Sequence, residues 1–230
     1  MHVVILATSH GNALRPLTSQ LPQALVPIGQ KRFIEFQIEY MAAQQFFEFV
    51  VVITPPKGTL IREYLGSGAR FGVDIAYAEE KEPLGTGGCL SLLTTHVDDR
   101  FVLLGADSFL PIDYRLLARA ERDECIVAAC SNKDKLLPNN LRLAGDLVID
   151  AGAPSEKMTH LYAGACVLTH DVPKHIPKEA ASIEEAVFRP LIRSSRLRAH
   201  AVRQRPYFIH TPTGLNGFCN ALKKAAWARI

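Results

Sequence analysis

Three segments of this chain carry residue types suited to handling phosphate. The first is the loop Thr8 to Pro27. It contains His10-Gly11-Asn12-Ala13-Leu14-Arg15-Pro16-Leu17-Thr18 and Pro22-Gln23-Ala24-Leu25-Val26-Pro27. The second is Glu82-Pro83-Leu84-Gly85-Thr86-Gly87-Gly88, at an expected helix start. Small residues there let backbone N–H groups approach a ligand, and a helix start favours an anion. The third is Asp107, which follows the apolar run Phe101 to Leu104 through Gly105-Ala106. A carboxylate so placed can hold a hard divalent cation against phosphate oxygens. Each segment has a plainer reading too: a glycine-rich turn can simply begin a helix, and an Asp after a strand is often an N-cap. Their order along one chain is the stronger signal.

The elements that must position them follow from the apolar pattern. Val3 to Ala7, Phe49 to Ile53, Val73 to Ala78, Phe101 to Leu104 and Cys125 to Cys130 read as strands, most of them continuous apolar runs covered on both faces. Phe33 to Phe46, Thr59 to Leu65, Thr86 to Thr95 and Asp113 to Arg122 read as helices between them. That alternation predicts an α/β chain with a Rossmann-like, mostly parallel sheet flanked by helices. After Lys133 the pattern changes. Leu141 to Leu143 and Leu147 to Ile149 flank Ala144-Gly145-Asp146 as a small antiparallel hairpin. Tyr162 to Leu168 is a further strand, and Ile183 to Arg193 and Leu215 to Trp227 are expected helices. One domain over residues 1–230, with halves 1–132 and 133–230, is the economical division. In such sheets the ligand lies beyond the carboxyl ends of the strands, where all three polar segments fall.

Composition narrows the classes. With 48% apolar and 21% charged residues the 230-residue chain is an ordinary globular one, not a disordered or collagen-like one. No apolar run reaches the ~18–20 residues of a membrane span, and the apolar start is short, without a basic leader. A soluble, cytoplasmic protein without membrane association is expected. Five scattered cysteines without a CxxC pair read as reduced, buried thiols, not as a zinc site or a disulfide framework. Charge is uneven: residues 186–230 carry nine Lys or Arg and no acid, while the first 185 carry 17 basic against 23 acidic residues. A basic tail on an acidic body suits an anionic partner, or is a solvated face and a protected strand edge. Nucleic acid is a poor candidate, because the tail lacks aromatic interleaving and a recognised binding motif.

Together the motifs resemble the sugar-1-phosphate nucleotidylyltransferases, particularly the D-glycero-D-manno-heptose 1-phosphate guanylyltransferase branch. That family opens with a strand, then LAGGxGTRLxPLT and PKxLxPV, and later shows EKEPLGTGG and a strand ending in NGD. Leu6-Ala7, Gly11, Leu14, Pro16-Leu17-Thr18, Pro22, Leu25, Pro27, the run Glu80 to Gly88 and Asp107 match. Glu156-Lys157, Ala163-Gly164 and Ser182 to Glu185 are similar to its EK, NAG and SxEE elements. The resemblance implies a nucleotide-diphospho-sugar transferase fold, with a nucleotide-binding first half and a sugar-binding second half. It implies NTP plus sugar 1-phosphate as substrates, NDP-sugar and pyrophosphate as products, and Mg²⁺ as cofactor. By the same resemblance Leu6, Ala7, Gly11, Gly85 and Thr86 contact the nucleotide, Asp107 binds the metal, and Glu156, Lys157 and Gly164 line the sugar side.

The chain also departs from the pattern. Thr8-Ser9 stand where the family has Gly-Gly, Ala13 replaces its loop Arg, Gln23 its PK Lys, and Tyr162 its NAG Asn. Tyr207 to Gly214 aligns with the family's late FIDIGTP element, which puts His210 at a second metal Asp. Arg15, His10 and Lys31-Arg32 are the candidate compensations, Arg15 being assigned with Asp107 to catalysis, and His210 is a candidate ligand for a softer metal. Losing several charge-stabilising groups leaves two expectations. One is an impaired nucleotidyltransferase. The other is an inactive homologue that senses a nucleotide sugar or regulates an active paralogue.

Overall fold

The computed structural model describes residues 1–224 other than 10, 98, 120–123, 134, 136 and 178. β1 (Val3–Ala7) is followed by two 3-10 turns, Asn12–Leu14 and Gln23–Leu25, and a small hairpin of β2 (Pro27–Ile28) and β3 (Lys31–Arg32). Then come α1 (Phe33–Ala42), β4 (Glu48–Ile53), α2 (Lys57–Leu65) and β5 (Asp74–Glu79). α3 (Gly85–Gly88) runs into a 3-10 helix, Cys89–Thr95, ahead of β6 (Phe101–Gly105), β7 (Ser108–Phe109), α4 (Tyr114–Leu117) and β8 (Cys125–Cys130). The rest is β9 (Leu141–Ala144), β10 (Leu147–Ala151), β11 (Leu161–Leu168), α5 (Val172–His175), a π-helical turn Glu184–Phe188, α6 (Arg189–Arg193), β12 (Leu197–Val202), β13 (Tyr207–Phe208) and α7 (Pro212–Leu222).

Nine strands form one mixed sheet in the order β5-β4-β1-β6-β11-β8-β12-β10-β9. β5, β4, β1 and β6 are parallel, and the inner three are the continuous apolar runs of strands covered on both faces. β11 enters antiparallel to both β6 and β8, and β12 lies parallel to β8. β8 and β12 therefore run in the direction of β6 and end on the same edge. The hairpin β9–β10 closes the far side.

Local spans shift for physical reasons. The helix expected over Thr86 to Thr95 is a single α-turn followed by 3-10 structure, because glycines at 85, 87 and 88 give α-helix little support. The helix expected from Asp113 is α4 alone among the described residues, capped by the Asp113 carboxylate accepting from Arg115 N. The helix expected over Ile183 to Arg193 starts with the π-helical turn. β12 is not expected from the sequence, because Arg198 and His200 interrupt its apolar pattern. Among the described cysteines all are free, and all but Cys219 are buried. No described helix is long and apolar enough to cross a membrane.

One core lies on each face of the sheet, and a third joins α1, α7 and β7. Phe218 of α7 is fully buried in the third core and meets Phe33, Phe36, Phe109 and Tyr207 at ring-centroid distances of 5.2–5.8 Å. This cluster holds β13 against β7, next to Asp107. Phe218→Ala removes the whole contact surface, and urea unfolding should show a loss of about 3–5 kcal/mol.

Candidate functional site

The site is built at the edge where β1, β4 and β6 end. Leu6 pairs with Gly105, and the Leu6 carbonyl accepts from Ala106 N at 3.0 Å, so the chain turns immediately before Asp107. That turn is held from below by a residue the motifs did not reveal. Gln37 of α1 is buried, and its Nε2 donates to Gly105 O at 2.8 Å and Ser108 O at 2.7 Å. Its one available signal was a polar side chain within the apolar stretch Phe33 to Ile38. Ser108 Oγ in turn lies 3.1 Å from Gly105 O and 3.2 Å from Gly164 O, so its single proton is shared between the two carbonyls. A Cβ at Gly164, whose φ is +83°, would lie 2.5 Å from Ser108 Oγ. The glycine of the NAG-like element is thus required by this packing, at the bulge where β11 shifts register on β8.

Asp107 O accepts from Ile209 N at 2.8 Å, which fixes β13 and the following His210 beside it. Burial pushes the Asp107 carboxyl above its usual range, while the charge of His210 and a backbone hydrogen bond pull it partly back. Among the described residues no three His, Cys, Asp or Glu side chains converge as a metal-holding group. One carboxylate at the site fits a hard cation that completes its shell with phosphate oxygens and water. The His210 imidazole is a softer donor and adds little for such a cation.

The run Glu80 to Gly88 is organised around a buried carboxylate. Glu80 accepts from the Thr54 hydroxyl and from Leu84 N, the latter at 3.1 Å. Gly85 has φ +70°, and a Cβ there would lie 2.6 Å from Ala181 O. Gly87 N and Gly88 N donate to that same carbonyl at 2.9 and 3.4 Å, and Thr86 Oγ1 accepts from Ile183 N at 3.1 Å. Two of the N–H groups expected to face a ligand therefore bind Ala181, immediately ahead of the Ser182 to Glu185 segment, instead. Gly85 and Thr86 remain exposed.

The loop after β1 is closed on itself. Ser9 Oγ accepts from Gly11 N at 3.3 Å and donates to Gln23 Oε1 at 2.7 Å. Gln23 is 1% exposed, and its Nε2 is buried without a hydrogen-bond partner. Thr18 Oγ1 donates to Gly11 O at 2.6 Å, and Lys57 Nζ reaches Thr18 O at 2.6 Å. Arg15 stands exposed on this loop, and His10 lies outside the described residues. Lys31 pairs with Glu39 at 2.5 Å and Arg32 donates to Leu25 O, so both serve the start of α1. Glu156 and Lys157 occupy an exposed turn between β10 and β11, closed by Met158 N on Ser155 O. The structure thus brings Leu6, Asp107, Gly164 and His210 together around one turn, with Ala7 beside them at the end of β1. Gly11, Gly85 and Thr86 lie farther along the same edge, and Glu156 and Lys157 on a separate turn.

A family model described as nucleotidyl transferase matches residues 2–138. The D-glycero-alpha-D-manno-heptose 1-phosphate guanylyltransferase of Campylobacter jejuni is 30% identical over 212 residues, covering 91% of this chain and 93% of that protein. This chain belongs to the sugar-1-phosphate nucleotidylyltransferase family. The glucose-1-phosphate thymidylyltransferase of Streptomyces antibioticus is 32% identical over 124 residues, 54% of this chain, which spans 35% of that longer protein. Two solved structures share the fold. HddC from Yersinia pseudotuberculosis has a TM-score of 0.83 at 19% identity, covering 96% of this chain and 99% of its own. The inositol-1-phosphate CTP transferase from T. maritima has 0.82 at 17%, covering 97% and 96%.

The raised Asp107 carboxyl has a consequence for stability. Its folded pKa lies above the unfolded one, so stability falls as pH rises between the two. Asp107→Asn removes that cost, and its Tm should equal or exceed the parent's at neutral pH, with the advantage disappearing below pH ~4. A clearly lower Tm at pH 7 would show that the carboxylate is stabilised by contacts other than these.

Proposed function

We propose that this nucleotidyltransferase-family chain is a weak sugar-1-phosphate nucleotidylyltransferase. An oxygen of the sugar phosphate attacks the α-phosphorus of a nucleoside triphosphate; the new P–O bond forms, the α–β bond breaks, and pyrophosphate leaves. Catalysis of such a transfer is positioning together with neutralisation of charge. Asp107 would hold Mg²⁺, which supplies positive charge to the phosphates when bound. Leu6, Ala7, Gly85 and Thr86 would line the nucleotide, and Arg15 is the cation the loop offers. Gly164 lies at the Asp107 turn and would face the sugar, with Glu156 and Lys157 at its outer end.

The observation that carries the reading is the Ser9–Gln23 hydrogen bond. It ties a neutral pair where the family places glycine and lysine, and the same hydroxyl takes up the Gly11 N–H. A loop closed in this way presents fewer donors to a triphosphate, and removing one preorganised donor typically costs ~10²–10³ in rate. The Campylobacter relative supports a guanine nucleotide and a heptose 1-phosphate as the first substrates to test.

A second reading is a nucleotide-sugar sensor or a regulatory partner of an active paralogue. It is favoured by Tyr162, which stands where the family has Asn and packs its ring 5.3 Å from Phe188.

Pyrophosphate release with GTP and heptose 1-phosphate should be slow, should need Mg²⁺ or Mn²⁺, and should vanish in Asp107→Ala. Ala13→Arg with Gln23→Lys should raise it at least ~10-fold. If no NTP and sugar 1-phosphate pair in a broad panel yields pyrophosphate, the transferase reading fails. A nucleotide sugar at ~100 times its Kd would then still stabilise a sensor by ~2.7 kcal/mol.

A further inference from the structure

The segment that carries Asp107 is gripped from one side by a single helix. Gln37 and Tyr40 share a face of α1, and Gln44 lies just past the helix end. All three turn polar atoms toward the stretch from Gly105 to Tyr114. Gln37 Nε2 donates to Gly105 O at 2.8 Å and to Ser108 O at 2.7 Å. Tyr40 Oη and Gln44 Nε2 both donate to Ile112 O, at 3.3 and 3.1 Å, and Gln44 Oε1 accepts from Tyr114 N at 2.7 Å.

The three grips are not equivalent. Those of Tyr40 and Gln44 fall well past Asp107, at residues 112 and 114. Those of Gln37 bracket it. One amide group directs its two protons to the carbonyls of residues 105 and 108, and so ties together the two ends of the turn. The carboxylate depends on that tie. A Cβ at Gly105 would lie 2.9 Å from Asp107 Oδ1, so the carboxylate folds back over the residue whose carbonyl Gln37 holds.

The amide is retained against a penalty. Gln37 is 3% exposed, and its Oε1 is buried without a hydrogen-bond partner. An apolar side chain of similar length would avoid that unpaired acceptor, so packing alone does not account for an amide here.

We infer that Gln37 is a positioning residue for the cation-binding carboxylate: through Gly105 and Ser108 it sets the orientation in which Asp107 meets a divalent cation. The inference deepens the reading in which Asp107 holds Mg²⁺; it rests on that assignment and not on turnover. Removing a partner that orients a ligating side chain typically changes metal affinity or activity ~10–100-fold.

The test is calorimetric titration of the full chain with GTP, ATP, CTP, UTP and dTTP, each in Mn²⁺ and again in EDTA. The ratio of the two affinities is the gain that the cation provides. The parent should show a gain with at least one nucleotide, and Asp107→Asn should abolish it. Gln37→Met should reduce the gain at least ~10-fold while its affinity in EDTA stays that of the parent. Gln44→Met removes two hydrogen bonds from the same stretch but away from the turn. It should lower Tm about as much and leave the gain intact. Gln37→Glu keeps the shape, yet a protonated carboxyl donates only one hydrogen bond, so it should lose part of the gain. That variant decides the matter if Gln37→Met does not fold. Where the parent releases pyrophosphate, Gln37→Met should lower kcat with the KM for the sugar phosphate unchanged. A parent that releases none while the binding pattern holds sinks the transferase reading and leaves this one standing. The proposal is overturned if the parent shows no gain with any nucleotide or if Asp107→Asn keeps it. It is equally overturned if the Gln37 variants bind like the parent, or if Gln44→Met loses as much gain as Gln37→Met.

Discussion

The organisation of this protein depends on an inner sheet strand, β1, that has no wet face. Val3, Val4 and Ile5 of β1 are wholly inaccessible, flanked by β4 and β6 and covered on both sides by core. Polar groups cannot sit along such a strand without losing their hydration, so the chain's chemistry is confined to where strands end. Parallel pairing of β5, β4, β1 and β6 brings those ends to one edge. The polar loops after β1, β5 and β6 are neighbours there because no other placement is open to them.

Within that edge, hydrogen bonds decide which groups face outward. Gln37 reaches from α1 under the sheet edge to two carbonyls of the β6 turn, and Ser108 joins that turn to Gly164 on β11. Asp107 is thereby held in a partly desolvated position that opposes its own ionisation, as expected where a carboxylate awaits a cation or another charge. The loop after β1 is different. The Ser9 hydroxyl there accepts from Gly11 N and donates to Gln23 Oε1, so these two donors are consumed internally, while Gln23 Nε2 stays buried without a partner.

Charge is separated along the same edge. The acidic group lies at the end of β6, and basic groups gather where β8 and β12 end. The acid-free stretch from residue 186 onward is partly neutralised by the acidic body: Arg189 pairs with Glu185, Arg196 with Asp171, and Arg198 with Glu124 and Asp146.

The alternation of apolar runs with helical segments was enough for the fold class and for the strands of the parallel half: burial on both faces demands the uninterrupted apolar residues of β1, β4 and β6, and the edge strand β5 shows the alternation of a half-buried strand. The motif residues likewise announced the β1 loop, the Glu80 to Gly88 run and Asp107. β12 escaped detection because edgeward strands are half polar, and its place beside β8 comes from tertiary pairing. The same is true of Gln37, whose role depends on a carbonyl 68 residues away in the chain. Sequence offers Arg15, Lys31 and Arg32 together as loop cations, with Arg15 assigned to catalysis; it is folding that sends Lys31 to Glu39 and leaves Arg15 exposed. Local sequence determined which segments are strands and where polar groups are tolerated. Tertiary structure alone decided which of those groups satisfy one another and which remain for a ligand, because hydrogen-bond and ion-pair partners are chosen by distance in space.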